Sequence, residues 1–358
     1  ITLAACNNDD DDGAADVAAQ LAAAQAAQAA AEAAQAAAEA ALADINSAEA
    51  AAAAPAVAIL TTGVDNVVAA ASSDSVSAGL VAGVQSLQSI DAINMGEGTD
   101  TLTAIINANV SPQMTGVENL VVSSVTTANV VVNLSAAPGV TSIHNNGSST
   151  VMEVQNIASG TALSLSNNAV GAGFTLKAAD FTGTADSITL SLDNVTAGNT
   201  TINNVVETIN IVSNGSVTNV LNTVTTNPGT VNITGTSALT YAEGLTATAV
   251  VDASGMSGTL TSTWAPAAAY SYTGSTGVDT LTLNSAAAIV ETVNTGAGND
   301  TVTVAQNLAD TDVLNGGDGT DTIAATATNL VALTTLVAAS NNITNFETVR
   351  TTDALDRA

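Results

Sequence analysis

Three glycine- and aspartate-rich segments recur at a fixed interval late in the chain. They are Gly274–Asp279, Thr295–Asp300 and Gly316–Asp321, and each ends on an aspartate that lies 21 residues from the next. Stacked turns of a solenoid produce equal spacing, because every turn repeats the loop of the turn before it. The spacing therefore predicts a solenoid with one Gly-Asp loop per turn, all in a single column.

The residues after Pro55 alternate between apolar and polar over short runs, as in Ser187–Leu192 and Val231–Thr234. Alternation with a period of two indicates strands with one face turned inward, and no helical pattern separates them. Aromatic residues make up only 2% of the chain, which favours a core of thin repeated layers. We therefore predict an all-β fold, a parallel β-solenoid of the β-helix or β-roll type.

A long alanine-rich α-helix is predicted to precede the solenoid. Residues 14–54 are almost all strong helix formers, and Pro55 ends the run. Polar residues recur every seven positions, at Gln25, Glu32 and Glu39, but an alanine seam buries little surface. We expect a helical spacer or a weak coiled coil in preference to a stable dimer.

Residues 1–13 indicate a membrane anchor. Leu3-Ala4-Ala5-Cys6 resembles the end of a bacterial lipoprotein signal, and the acidic run from Asn7 to Gly13 suits a disordered tether. We expect Cys6 to carry lipid; the alternative is an unmodified cysteine at a frayed terminus. Because Cys6 is the sole cysteine, an intrachain disulfide is excluded.

Charge excludes some partners and favours others. The chain has 32 acidic residues and only 3 basic ones, Lys177, Arg350 and Arg357, for a formal net charge of −29. Three basic side chains cannot form the positively charged surface that binding to nucleic acid requires. Adsorption to anionic lipid is disfavoured for the same reason, so membrane contact would come only through a lipid anchor. An acidic chain repels its own copies until cations screen it, so divalent cations are the expected partners.

The Gly-Asp loops have the composition of a calcium site. Residues 316–323 match the pattern G-G-x-G-x-D-x-U-x, in which glycines allow sharp turns that aim carbonyl oxygens inward and aspartate adds a carboxylate. Ca²⁺ takes six to eight such oxygens. We predict calcium ligands, some in degenerate copies of the motif, at Asp279, Gly298, Asp300, Gly317, Gly319, Asp321, Gly98 and Asp100.

Two weaker patterns accompany these loops. Asp65 and Asp74 lie nine residues apart and are secondary calcium candidates; tight turns whose ion sites have decayed are the alternative for all the loops. An apolar-Glu-Asn/Thr-aliphatic element also recurs without strict spacing, and its glutamate is expected to cap a turn in preference to binding calcium. These glutamates are Glu118, Glu207, Glu291 and Glu347.

The stretch 270–350, and more weakly 60–120, resembles the bacterial RTX-type surface-layer (S-layer) proteins. The resemblance implies a calcium-dependent two-dimensional lattice on the cell surface. It also implies type I secretion, whereas Leu3-Ala4-Ala5-Cys6 implies export as a lipoprotein. The two signals leave the export route open.

Catalytic motifs are scarce. His144 is the single histidine, and the sequence contains no nucleophile elbow, phosphate loop or Cys/His metal site. Asp180, Asp186 and Asp193 could supply an acid/base pair in a β-helix enzyme, but the aromatic platforms of polysaccharide sites are nearly absent. We expect no enzymatic activity.

The sequence divides into five segments: a lipobox-like terminus with tether (1–13), the helix (14–54), degenerate RTX-like turns (55–105), a β-solenoid (106–269) and a calcium-binding solenoid end (270–358). We expect a structural protein on the outer cell surface that forms a calcium-dependent self-assembled coat, as a homo-oligomer or lattice, or an extracellular filament. The alternative is a surface adhesin or biofilm matrix protein that binds glycan. A β-helix carbohydrate-active enzyme is the third class.

Overall fold

The structure is a computed structural model, and its description covers fourteen stretches of the chain. These are residues 13–52, 57–69, 71–167, 171–176, 181–196, 198–202, 206–223, 228–243, 250–265, 268–284, 289–305, 308, 311–330 and 342–353. The chain forms two compact units, Ile1–Ala54 and Pro55–Ala358.

The first unit contains the helix α1 (Gly13–Ala52). Every side chain described between residues 17 and 37 is exposed. Two glutamines donate hydrogen bonds one turn along this surface, Gln28 to Glu32 and Gln35 to Glu39, each at 2.9 Å. No helix in the described part of the chain is long and apolar enough to cross a membrane.

The second unit is a parallel β-solenoid of about 11 turns, which confirms the predicted fold class. Sheet 1 has 14 strands, in the order β1 (Val57–Ile59), β3 (Ser75–Ala78), β7 (Thr101–Ile106), β9 (Asn119–Ser124), β11 (Ser142–Asn146), β13 (Ala162–Ser166), β15 (Ser187–Asp193), β17 (Thr208–Asn214), β19 (Thr230–Gly235), β21 (Val250–Met256), β23 (Tyr270–Thr273), β25 (Glu291–Asn294), β27 (Val313–Asn315) and β29 (Ile343–Thr344).

Three smaller sheets complete this unit. Sheet 3 is parallel and contains β2 (Asn66–Val68), β6 (Ala92–Asn94) and β8 (Gln113–Thr115), and β4 (Leu80–Val81) forms an antiparallel pair with β5 (Val84–Gln85). Sheet 2 is parallel and has 11 strands, in the order β10 (Val130–Asn133), β12 (Val151–Gln155), β14 (Gly173–Leu176), β16 (Gly198–Ile202), β18 (Asn219–Thr223), β20 (Leu239–Glu243), β22 (Leu260–Trp264), β24 (Thr280–Leu283), β26 (Thr301–Val304), β28 (Thr322–Ala325) and β30 (Thr348–Thr351).

The core is a stack of aliphatic columns between the sheets. In β15 the inward residues Ile188, Leu190 and Leu192 are buried, while the residues between them face outward and are half-buried. Ile188 pairs in register with Ile209 of β17, so each column continues from turn to turn. Aromatic side chains also enter this core, and Trp264 packs edge-on against Tyr241.

Turn length in the last third of the solenoid follows the predicted repeat. Thr280 of β24 pairs with Thr301 of β26, and Thr301 pairs with Thr322 of β28. Each step is 21 residues, so the spacing of the aspartates is the length of one turn. The prediction of one Gly-Asp loop per turn in a single column is confirmed there.

Candidate functional site: columns of buried acids

An acidic column runs along the edge of sheet 2 where its strands begin. Asp279, Asp300 and Asp321 lie directly before β24, β26 and β28, and Glu347 lies directly before β30. The main-chain N–H of Asp279 donates to Asp300 Oδ1 (2.8 Å), that of Asp300 to Asp321 Oδ1 (2.7 Å), and that of Asp321 to Glu347 Oε2 (2.7 Å). Each carboxylate thus ties its own turn to the turn before it.

The aspartates of the column differ in how many of their carboxylate oxygens accept a hydrogen bond. Asp279 accepts the N–H and the hydroxyl of Ser275, both at 2.6 Å, and the N–H of Leu260 at 3.1 Å. By contrast, Oδ2 of Asp300 and Oδ2 of Asp321 are buried without a hydrogen-bond partner. The hydroxyl of Thr295 lies near Asp300 but donates to the carbonyl of Gly316 at 2.6 Å. A buried carboxylate oxygen without a partner is costly, which indicates that a proton or a cation belongs there.

Burial dominates the ionisation of these groups. It raises the pKa of Asp300 to about 6, although the hydrogen bond from the N–H of Asp279 lowers it; the charges of Asp279 and Asp321 raise it further. Burial likewise raises the pKa of Asp321, with a smaller contribution from Glu347. At neutral pH the column therefore places negative charge in a buried site, where binding of a proton or a cation to the carboxylates is favoured.

Without calcium, the C-terminal turns are expected to become more stable as the pH falls. The folded state holds a proton on Asp300 more tightly than the unfolded chain does, so the gain is complete below the ordinary pKa of 3.8 and is lost as the pH rises through about 6. Thermal melts in chelator across this range would measure it. Asp300→Asn keeps an oxygen acceptor but cannot titrate, so it should make the stability less dependent on pH; an unchanged profile would contradict the assignment.

The glycines of the loops allow successive turns to approach closely. Gly298 and Gly319 have φ of +133° and +148°, which favours glycine. A Cβ on Gly319 would overlap the carbonyl oxygen of Gly298 in the turn before. The loops also bond to each other, since Gly298 N–H donates to the carbonyl of Asp318 (2.8 Å) and Asp318 N–H to that of Gly296 (2.9 Å).

Gly98 and Asp100 lie at a different corner of the solenoid. Asp100 directly precedes β7 of sheet 1, accepts the N–H of Asp74 at 2.6 Å and donates its own N–H to Glu118 Oε2 at 2.8 Å. Its Oδ2 is buried without a hydrogen-bond partner, and burial raises its pKa. Asp65 directly precedes β2 of sheet 3, and its N–H donates to Asp91 Oδ1 at 3.0 Å. Asp65 and Asp74 thus each donate their N–H to an aspartate 26 residues further along the chain, in the next turn.

Three of the four recurrent glutamates accept a main-chain N–H from the turn before, as predicted for a residue that caps a turn. Glu118 and Glu347 accept the N–H of an aspartate one turn earlier, and Glu207 accepts that of Asp186 at 2.7 Å. Glu291 lies in the same kind of column, and its N–H donates to Asp312 Oδ1 at 3.0 Å. The sequence analysis did not predict that these glutamates pair with the aspartates. The pattern that could have indicated it is an acidic residue directly before a strand, one turn away from another acidic residue.

The remaining candidates that the structure describes do not converge on a second site. Asp186 precedes β15 and Asp193 ends it, so they lie about 20 Å apart, too far for an acid/base pair. His144 Nε2 makes a 2.6 Å hydrogen bond with Ser166 Oγ on the outer face of sheet 1. Cys6 and Asp180 lie outside the described residues.

In the described ranges, no three acidic, histidine or cysteine side chains are placed so that together they could hold one metal ion. A cation on the acidic column would therefore need main-chain oxygens as well as carboxylates. Comparison with known proteins adds no assignment, since neither a protein-family model nor a curated protein matches the sequence.

Proposed function

We propose that this chain is a structural protein of the outer cell surface whose solenoid binds Ca²⁺ and which associates with its own copies into a coat or filament. The observation that carries the proposal is the pair of buried, unpartnered carboxylate oxygens on Asp300 and Asp321, repeated at Asp100. These side chains are 1%, 0% and 0% exposed.

The donor set fits a hard cation. Carboxylate oxygens are what Ca²⁺ prefers, and the glycine-rich loops bring main-chain oxygens close to the same edge. Asp300 and Asp321 would hold the ion together with main-chain oxygens of the loops that contain Gly298, Gly317 and Gly319, and Asp100 would do so beside Gly98. Asp279, whose oxygens are already hydrogen-bonded, would support the column without being a principal ligand.

Charge supports the same cation. A chain with a formal net charge of −29 cannot pack against copies of itself until its carboxylates are screened or bridged. A divalent ion on the acidic column would neutralise charge where the column is most tightly stacked. The role we propose is therefore structural and not enzymatic.

The proposal includes the N-terminal region. A long alanine-rich helix would act as a spacer, and lipid on Cys6 would anchor the protein to a membrane. The resemblance of stretch 270–350 to RTX-type surface-layer proteins supports an extracellular location and a calcium-dependent lattice.

Assembly is expected to require calcium. Purified protein in millimolar calcium should scatter light strongly and show ordered sheets or filaments in electron micrographs, and chelator should disperse them. Magnesium should substitute poorly, because it demands a smaller octahedral shell. A monomer at high concentration with and without calcium would contradict the proposal.

A surface adhesin is the second candidate, favoured by a groove of about 290 Å³ on sheet 3. Its lining includes the exposed amides of Asn66, Asn94 and Gln113 and the hydroxyl of Thr115, groups that could hydrogen-bond a sugar. Glycan-array binding that is lost in Asn94→Ala, without any assembly, would favour this candidate over a coat.

A further inference from the structure

A regular grid of threonines covers the outer face of sheet 2 beside the acidic column. In one row, Thr240, Thr261, Thr280, Thr301 and Thr322 pair in register across β20, β22, β24, β26 and β28. In a second row, Thr263, Thr282 and Thr303 pair across three of these strands. All eight side chains are exposed or half-buried, while the residues between them point into the core. We call these eight residues the threonine face.

The threonine face carries no charged side chain, unlike parts of the other outward surfaces. Sheet 1 presents the exposed Asp193 and Asp252 outward, and sheet 2 presents Glu153 near its start. The threonine face presents hydroxyl and methyl groups only. Since the chain carries a net charge of −29, two copies meet with least repulsion where neither presents a charge.

The chemistry of this face is also complementary to itself. A threonine hydroxyl both donates and accepts a hydrogen bond, so one such grid can pair with another, which a row of carboxylates cannot do. The rows repeat at the spacing of neighbouring strands, about 4.8 Å, so two copies can match turn for turn. Such a contact uses the same patch on both partners.

We propose that the threonine face is the contact through which a second copy of this chain docks. This inference rests on the proposed function, because it names the surface that the coat or filament would use. A patch spanning five strands is smaller than the interface of a stable dimer. Because a contact between two identical patches joins only two copies, it would be one of the several weak contacts that act together in a lattice or filament.

The position of the face links docking to calcium. Asp279, Asp300 and Asp321 directly precede Thr280, Thr301 and Thr322, so the acidic column borders one edge of the threonine face. A cation on the column would remove the negative potential along that edge. Docking would then need the ion even though no threonine binds it.

The test compares matched charge substitutions in the full chain with calcium present. Thr282→Glu and Thr280→Glu place a carboxylate in each row of the face, and Thr189→Glu makes the same change on the outer face of sheet 1, where Thr189 is also half-buried. Sedimentation velocity and electron microscopy would follow assembly, and Trp264 fluorescence would follow folding. We expect the wild type and Thr189→Glu to assemble alike, and both face variants to require about tenfold more protein or to stay monomeric.

The outcomes separate this inference from the proposed function. If the wild type does not assemble at any calcium concentration, the proposed function fails and the docking contact with it. If the wild type assembles and folded Thr280→Glu and Thr282→Glu assemble equally well, the threonine face is not the contact. If the face variants lose binding to a purified surface polysaccharide or to ice while assembly is unchanged, the occupant is that ligand and the inference is overturned.

Discussion

Removing calcium is expected to melt the turns after Tyr270 before the rest of the solenoid. The acidic column lies in these turns, and without a cation its stacked carboxylates repel one another while glycine-rich loops lose chain entropy on ordering. At about 100 times the dissociation constant, each bound ion adds about 2.7 kcal/mol to the free energy of unfolding. Calorimetry and limited proteolysis with calcium or chelator would measure the difference.

Two substitutions at the same residue separate the ion from the hydrogen bond. Asp321→Asn keeps an oxygen that can accept the N–H of Asp300 but removes the charge, so the variant should fold in chelator and gain little from calcium. Asp321→Ala also removes the acceptor and should be less stable in both conditions. Asp318→Ala is the control, because Asp318 is exposed in the same loop. Equal calcium responses in the wild type and Asp321→Asn would show that the column binds no ion.

The fold was predictable from the sequence because two repeats are present in it, the alternation within each strand and the spacing between turns. Alternation marks the inward face of each strand, as in Ser187–Leu192, and the aspartate spacing gives the length of a turn. In a solenoid each turn contacts only its neighbours, so these two local patterns determine nearly all the long-range pairing.

The positions of the acids were harder to predict. Asp100 and Asp300 share a local motif, yet Asp100 begins a strand of sheet 1 and Asp300 begins one of sheet 2. Which corner of the turn an acid occupies depends on loop lengths around the whole turn, and these vary along the chain. The pairing of Asp100 with Glu118, 18 residues away, and of Asp74 with Asp100, 26 residues away, shows this variation.

The sequence also left the chemical role of the acids open. A Gly-x-Gly-x-Asp loop is typical of a calcium site. In the structure, however, Oδ1 of Asp300 and Oδ1 of Asp321 each accept a main-chain N–H from the turn before. This bond exists only because the turns stack at the separation of neighbouring strands, which no single loop encodes. The carboxylates therefore have a structural task in addition to any metal ligation.

The sequence predicted that these threonines face outward, because they alternate with apolar residues. It did not predict that they lie next to one another on one surface. Thr280, Thr282, Thr301 and Thr303 form a grid only because the 21-residue turn keeps β24 and β26 in register. A one-residue change in a loop would shift the strand and turn its outward side chains into the core. The regular turn length thus fixes both the acidic column and the face beside it.

Replacing Gly235 by alanine is expected to be among the most destabilising single substitutions outside the acidic column. Gly235 ends β19 with φ of +117°, a conformation that alanine rarely adopts, and a Cβ there would overlap the carbonyl oxygen of Ser213 in the neighbouring strand. Ser213 pairs with Gly235, which in turn pairs with Met256, so the clash would disturb three adjacent turns. Backbone strain of this kind costs about 1 to 3 kcal/mol.

Gly79→Ala supplies the matched control for this substitution. No atom lies within 4 Å of a Cβ built on Gly79, and its φ is not in the left-handed region, so the free energy of unfolding should change by less than about 1 kcal/mol. Denaturant titration in chelator, followed by Trp264 fluorescence and circular dichroism, keeps calcium out of the comparison. Because a solenoid propagates strain only through neighbouring turns, Gly235→Ala should also broaden the transition, as the turns on either side of β19 begin to unfold separately. Equal midpoints for the two variants would mean that the turns can move apart at Gly235, and that close stacking does not determine where glycine is required.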